Sequence, residues 1–348
     1  MGNANRQVPT PRTRNLPFRP IAETFKLTSD RSVPTTLTQE ELNNMRLFAH
    51  YSGAAYCDSI YVDKEDFNID CGRAEGKCPL EHDPEPEVID IMYHAGQDAG
   101  TGYIARDAPN KMIIVAFQGT ADGITSKMRD RAIDGLISNQ FEADMKIIRR
   151  PSLDTCLTMY MPERKNKCEI HAGFWNSWAQ MADFVEKALL QLRGEHPDYK
   201  YVFTGHSLGG AIAALGATHF RNQGWAIDLY TYGQPRLGSS DISMYITGQA
   251  PVFGKNYRVT NWDDVIPQLP THKWPRRKWT HFAPEYWINS PTVDDYNVTL
   301  ADITVIPDFL YSDKGNSQFH VLESIDRNKG KIHQHYFGEI AGCPRESK

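Results

Sequence analysis

An α/β fold is predicted for this 348-residue chain: a central, mostly parallel sheet with antiparallel N-terminal strands and helices on both faces. Three observations predict it. After Gly173, short apolar runs alternate with helical patterns, the rhythm of a helix-covered parallel sheet. Before it, three strand-like runs at Glu87–Tyr93, Thr101–Arg106 and Lys111–Phe117 follow one another too closely for crossover helices, so they read as antiparallel neighbours. Between the strand-like run Lys200–Thr204 and a helix rich in small residues lies Gly205-His206-Ser207-Leu208-Gly209, a sharp turn between strand and helix.

Residues 1–36 carry five prolines and six Lys or Arg against two acids, with little apolar periodicity. Residues 1–37 therefore read as an extension or prosegment, and 38–348 as a single domain. The folded unit opens at Thr38-Gln39-Glu40-Glu41, a capping-box pattern before a helix running to about Tyr56. Phe174, Trp178, Met181, Val185, Leu189 and Leu192 recur at three- and four-residue steps and mark an amphipathic helix that ends before Pro197. A strand at Ile227–Tyr232, a helix near Ser239–Thr247 and a strand at Tyr257–Thr260 continue the alternation.

Composition excludes several functions. A formal net charge of −5 offers no field for nucleic acid, and the one dense basic run, Arg276-Arg277-Lys278, reads as a solvated loop. No apolar window reaches the ~18 residues of a membrane span. Met1–Pro34 shows no secretory leader, so the expectation is that one was removed; Arg6 argues against myristoylation at Gly2. The six cysteines Cys57, Cys71, Cys78, Cys156, Cys168 and Cys343 contain no C-x-x-C pair. Their even number suggests three disulfides and a secreted, oxidising setting, with a disulfide-free cytosolic enzyme as the alternative. Their pairing does not follow from composition. Asn297-Val298-Thr299 is an N-glycosylation acceptor in a secreted chain.

The glycines flanking Ser207 leave room for a strained turn that lifts its hydroxyl above the carboxyl edge of the sheet. A helix N-terminus there favours developing negative charge. A serine needs an imidazole, and the imidazole a carboxylate, in the chain order Ser, acid, His for this kind of elbow. Asp263 and Asp264 follow the strand ending at Thr260, and His272, His281, His320, His333 and His335 lie downstream. Chemistry alone does not rank those histidines. His206, beside the nucleophile, is expected to point away from it.

Several segments together resemble the class 3 family of fungal lipases, which has the α/β-hydrolase fold. They are Gly205-His206-Ser207-Leu208-Gly209-Gly210, Tyr257-Arg258-Val259-Thr260, Asp264-Val265-Ile266-Pro267 with Leu269-Pro270, Pro284-Glu285-Tyr286-Trp287-Ile288, and His333-Gln334-His335-Tyr336-Phe337-Gly338. The likeness runs from about Glu41 to Cys343. It implies a Ser207, Asp264 and His333 triad, Asp264 rather than Asp263 being the acid that precedes two apolar residues and a proline. It implies an oxyanion hole formed by the N–H of Leu208 and by Thr120, although Gln118 stands where the family usually has Arg. It implies the disulfides Cys57–Cys343, Cys71–Cys78 and Cys156–Cys168, the first worth roughly 4–5 kcal/mol by loop entropy.

A lid over the active site is also implied between Thr120 and Cys156. There Ile124, Met128, Ile133, Leu136 and Ile137 mix with Lys127, Arg129, Asp130, Arg131 and Asp134, a pattern equally suited to a plain surface helix. No Trp or Phe stands at its front, which predicts weak interfacial activation or smaller substrates. The activity implied is hydrolysis of acylglycerol esters, triacylglycerols first, by a secreted monomer at an oil–water interface, without a cofactor, metal or nucleic-acid partner. The alternatives are a feruloyl esterase, a phospholipase A1 or a mono/diacylglycerol lipase on the same scaffold. A binding module that lost catalysis would lack a triad member, and none is missing.

Overall fold

The structure is a computed structural model that describes residues 33–57, 59–62, 69, 80, 86–92, 100–120, 147–149, 169–270, 279–290, 297–307, 312–319, 321, 324, 332–340 and 343. Of the expected lid segment all but 147–149 lies outside them, as do the Arg276–Lys278 run, Cys71, Cys78, Cys156, Cys168, His272, His320 and most of the N-terminal extension.

Helix α1 (Gln39–Ala54) starts where the capping box predicts: the Thr38 hydroxyl accepts from the Glu41 N–H, and the Glu41 carboxylate accepts from the Thr38 N–H. A short helix α2 (Ser59–Val62) follows. Strands β1 (Glu87–Met92), β2 (Gly102–Asp107) and β3 (Met112–Phe117) form an antiparallel meander, as their close spacing predicts. A separate two-stranded ribbon joins β4 (Ile147–Arg149) to β5 (Glu169–His171), and β5 leads directly into helix α3 (Ala172–Glu195). Then come β6 (Lys200–His206), helix α4 (Leu208–Asn222), β7 (Ile227–Tyr232), helix α5 (Ser240–Gln249) and β8 (Asn256–Asn261). Strands β9 (Glu285–Ile288) and β10 (Ile303–Ile306) complete an eight-stranded sheet in the order β1-β2-β3-β6-β7-β8-β9-β10. Pairing is parallel from β3 through β9 and antiparallel at both ends.

The sheet is buried on both faces, which is why β3 is apolar throughout rather than alternating. From β3, Ile113, Val115 and Phe117 join one core with Trp178, Met181, Val185 and Leu189 of α3 and Ala211, Ala214 and Leu215 of α4. Ile114 and Ala116 point the other way, onto Leu42, Met45, Phe48 and Ala49 of α1. Burying each such Leu, Met or Phe contributes about 1.5–3 kcal/mol. Polar ties fix the register of α1 on the sheet: the Ser52 and Thr204 hydroxyls lie 2.7 Å apart, and the Tyr232 O–H donates to the Met45 carbonyl.

Cys57 and Cys343 form a disulfide that joins the end of the first helical region to the C-terminal segment, across 286 residues of chain. No described helix is long and apolar enough to cross a membrane.

Candidate active site

Ser207 stands between β6 and α4 with φ 57° and ψ −127°, a left-handed conformation that costs a non-glycine residue free energy. The surrounding glycines make the turn feasible. A Cβ on Gly205 would lie 2.4 Å from the Gly209 carbonyl, and one on Gly209 would lie 2.1 Å from the Phe117 carbonyl oxygen. The Ser207 N–H is held by the Tyr232 carbonyl at the end of β7, at 2.8 Å. The side chain therefore rises at the carboxyl edge of the parallel strands, over the N-terminus of α4. Leu208 is the first residue of α4, so its N–H has no acceptor within the helix.

The acid loop leaves β8 at the same edge. Asp264 is buried, and its two carboxylate oxygens are fully engaged. Oδ1 accepts from the Ile266 N–H at 3.0 Å. Oδ2 accepts from His333 Nδ1–H at 2.7 Å and from the Tyr336 O–H at 2.6 Å. Because a carboxylate accepts, His333 carries its proton on Nδ1 and presents the lone pair of Nε2. That Nε2 is buried and has no hydrogen-bond partner among the described residues. His333 and Asp264 pack against the end of β7 at Gly233: a Cβ there would fall 2.9 Å from the His333 ring and 3.0 Å from Asp264 Oδ2. Gly233 directly follows Tyr232, the residue holding the Ser207 backbone. Ser207, His333 and Asp264 thus converge on one strand end.

A second layer of polar groups holds the acid loop. The Asn316 side-chain N–H₂ donates to the Asp264 carbonyl at 2.8 Å and to the Trp262 carbonyl at 3.1 Å. Asn316 is fixed in turn by its backbone N–H on Glu285 Oε1, which also accepts from the Thr260 hydroxyl. Glu285 pairs with Arg258 in the interior, where both side chains are about 5% exposed. Removing one member alone would strand a buried charge.

Of the other candidate histidines, His281 is buried and lies 2.7 Å, through Nε2, from the Pro267 carbonyl. Burial pushes its pKa well below the ordinary value, and the nearby Arg258 and Arg236 push the same way. It props the acid loop from beneath. The His335 backbone carbonyl accepts from the Asn261 side chain. His206 bonds the Tyr56 hydroxyl and the His333 carbonyl, its ring 4.4 Å from that of His333. Burial holds it neutral, well below the usual imidazole pKa, with His333 adding to the effect. His171, which caps α3, is lowered by burial to about 4.

The loop expected to supply a second oxyanion donor follows β3. Gln118 N–H is tied to the Thr101 carbonyl, Gly119 is buried against Tyr56, and Thr120 is half-buried beside them. Asn297 is exposed; the Thr299 hydroxyl of its tripeptide donates to Asp302 at 2.7 Å.

Sequence reasoning did not single out Tyr336 as a partner of the acid, nor Asn316, Gly233 or Tyr56. Only Tyr336 had a local signal, its position three residues after His333.

An eight-stranded, mostly parallel sheet with helices on both faces and a nucleophile elbow after the central strand β6 defines the α/β-hydrolase fold. The family model for lipase (class 3) matches residues 132–274. The chain is 32% identical over 287 residues to secreted mono- and diacylglycerol lipase 1 of Fusarium solani, covering 81% of this chain and 74% of that protein. It is 29% identical over 274 residues to secreted mono- and diacylglycerol lipase A of Penicillium camembertii, covering 78% and 77%. The crystal structure of the mono- and diacylglycerol lipase from Aspergillus oryzae superposes with a TM-score of 0.69 at 29% identity, covering 88% of this chain and all of that one. The chain belongs to the class 3 lipase family. It is a lipase, a carboxylic ester hydrolase.

Proposed function

We propose that the protein is a secreted acylglycerol lipase that works through Ser207, His333 and Asp264 and a covalent acyl-enzyme. The observation that carries this reading is the unpartnered, buried Nε2 of His333, opposite a ring nitrogen locked onto Asp264. Such a ring is free to take a proton from Ser207, no other partner for Nε2 standing among the described residues.

His333 Nε2 removes the Ser207 Oγ proton as Oγ attacks the ester carbonyl. The carbonyl electron pair moves to oxygen, where the N–H groups of Leu208 and Thr120 stabilise it. The tetrahedral species collapses; the C–O bond to the glycerol oxygen breaks, and that oxygen leaves with the proton from His333 Nε2. Water then enters, gives its proton to His333 and attacks the acyl carbonyl, and Ser207 departs with that proton. Asp264 stays ionised throughout and stabilises the imidazolium. Catalysis resides in one unit spanning 38–348, with 1–37 as an extension, and the active form is a monomer. Secretion is supported by the two fungal relatives described as secreted and by the Cys57–Cys343 disulfide.

A second reading concerns substrate size. Mono- and diacylglycerols are favoured over triacylglycerols, because the relatives named above are mono- and diacylglycerol lipases.

The test is fatty-acid release from emulsified mono-, di- and triolein by wild type and by Ser207→Ala. Ser207→Ala is expected to lose roughly 10⁶-fold in kcat while remaining folded. Undiminished hydrolysis by Ser207→Ala would overturn the mechanism. Faster turnover of triolein than of diolein would overturn only the substrate preference.

A further inference from the structure

Behind the nucleophile lie buried His206 and half-buried Tyr56, which the catalytic steps leave unused. His206 Nε2 is 2.7 Å from the backbone carbonyl of His333. A carbonyl only accepts, so Nε2 carries the proton and Nδ1 is an acceptor. The Tyr56 hydroxyl, 2.8 Å from that Nδ1, must therefore donate to it. The same phenol oxygen accepts the backbone N–H of Gly119. The result is a chain of one polarity: Gly119 N–H to Tyr56, Tyr56 O–H to His206, His206 N–H to the carbonyl of the base. Hydrogen bonds in series with one polarity reinforce one another in a low-dielectric interior.

The two ends of this chain belong to the two halves of the reaction. Gly119 directly precedes Thr120, the residue assigned to the oxyanion hole, and His333 is the base. Contact at the first end is close enough that only glycine fits, since a Cβ on Gly119 would lie 2.0 Å from the Tyr56 oxygen. Tyr56 is itself anchored, because its neighbour Cys57 is disulfide-bonded to Cys343, ten residues beyond His333. His206 is the residue before Ser207, so the chain passes beneath the nucleophile.

We propose that Tyr56 and His206 are positioning residues that set the spacing between the oxyanion loop and the catalytic base. This rests on the triad reading given above. Both side chains are bonded to protein atoms, so the effect expected is on the rate of the chemical step and not on binding.

The test uses full-length protein and a soluble ester, p-nitrophenyl butyrate. Tyr56→Phe keeps the ring and removes only the hydroxyl. His206→Gln keeps an N–H for the His333 carbonyl and removes the acceptor for Tyr56. Each is expected to lower kcat roughly 10–100-fold with KM within about twofold of wild type, the signature of a small displacement of catalytic groups. Phosphonylation by a p-nitrophenyl phosphonate, which uses the same oxyanion site and base, slows in parallel.

A purely packing role would lower the melting temperature and leave kcat unchanged at temperatures well below it; that result overturns the proposal. Should neither variant fold, ¹⁵N-histidine NMR of the wild type decides. Protonation of His206 at Nε2 with a pyridine-like Nδ1 supports the chain, and the opposite tautomer overturns it. Ser207→Ala, assayed in parallel, separates the two levels. An inert Ser207→Ala beside a fully active Tyr56→Phe overturns the positioning role alone, whereas an active Ser207→Ala overturns the triad and this proposal with it.

Discussion

Replacing Tyr336 with Phe removes one oxygen atom from the interior and leaves the ring in place. That hydroxyl donates to Asp264 Oδ2 at 2.6 Å and accepts the Asn261 backbone N–H at 3.2 Å. The first bond involves a carboxylate and is worth about 1.5–3 kcal/mol. Losing the second takes one acceptor from the buried Asn261 N–H, at a cost of about 1 kcal/mol. Cooperation between the two makes about 3 kcal/mol a reasonable sum, and a melting temperature lowered by roughly 5–10 °C. Catalysis should suffer less than stability. Asp264 keeps Ile266 N–H on Oδ1 and His333 on Oδ2, so the imidazole stays aligned. A fall in kcat of about tenfold, near 1.4 kcal/mol, is expected with KM unchanged. Differential scanning calorimetry and ester hydrolysis on the same preparation read both quantities. A variant with the wild-type melting temperature and wild-type kcat would refute the reasoning, because the hydroxyl would then have no energetic part in the acid's environment.

Asp264→Asn should lower kcat by about 10⁴-fold with the fold intact, since an amide in place of the carboxylate favours the wrong tautomer of His333; a tenfold effect would point to another acid. Cys57→Ser opens a loop of 286 residues and should lower stability by about 5 kcal/mol, or a melting temperature reduced on the order of 10 °C; an unchanged melting curve counts against the disulfide. Acid should destabilise the protein earlier than its carboxylates alone require. The buried rings of His206 and His281 and the half-buried ring of His171 resist protonation in the folded state, His171 down to about pH 4, but take it up near pH 6.5 when unfolded. The unfolded chain therefore binds more protons below about pH 6.5, and stability present above that pH is lost as pH falls toward 4. His171, only partly shielded, contributes at most about 3 kcal/mol of this loss. Urea unfolding at pH 7.5 and pH 5 measures it, and equal stabilities would sink the idea.

Most of the frame was legible because its signals are local. Thr38 and Glu41 announce α1, the small residues after Ser207 announce α4, and Ile227–Tyr232 is read to the residue. The C-terminal edge of the sheet was not legible. Glu285–Ile288 and Ile303–Ile306 are four residues each, too short for periodicity, and exist because β8 offers an unpaired edge. The site divides in the same way. Ser207 is marked by its own turn, but no local chemistry separated His333 from His281. The fold does distinguish them, bringing His333 to Asp264 across 69 residues and sending His281 to a backbone carbonyl. The supporting groups Asn316 and Tyr56 carry no sequence signal, because their partners are backbone atoms and rings distant in the chain.

Strands β3 and β6 lie side by side, yet the chain leaves the sheet after Phe117 and does not return until Lys200. Both stems of that excursion are fastened to the frame. Gly119 is held by Tyr56, and β5 is held where the Ser239 N–H meets the Glu169 carbonyl and the His171 N–H meets that of Leu237. Whatever spans the gap between Thr120 and Glu169 closes a loop whose ends are already fixed. Doubling the length of such a loop costs only about 0.6 kcal/mol. Descendants of this frame are therefore free to lengthen, shorten or replace the span without re-registering a strand of the eight-stranded sheet, so selectivity can drift among them while the reacting atoms keep their places.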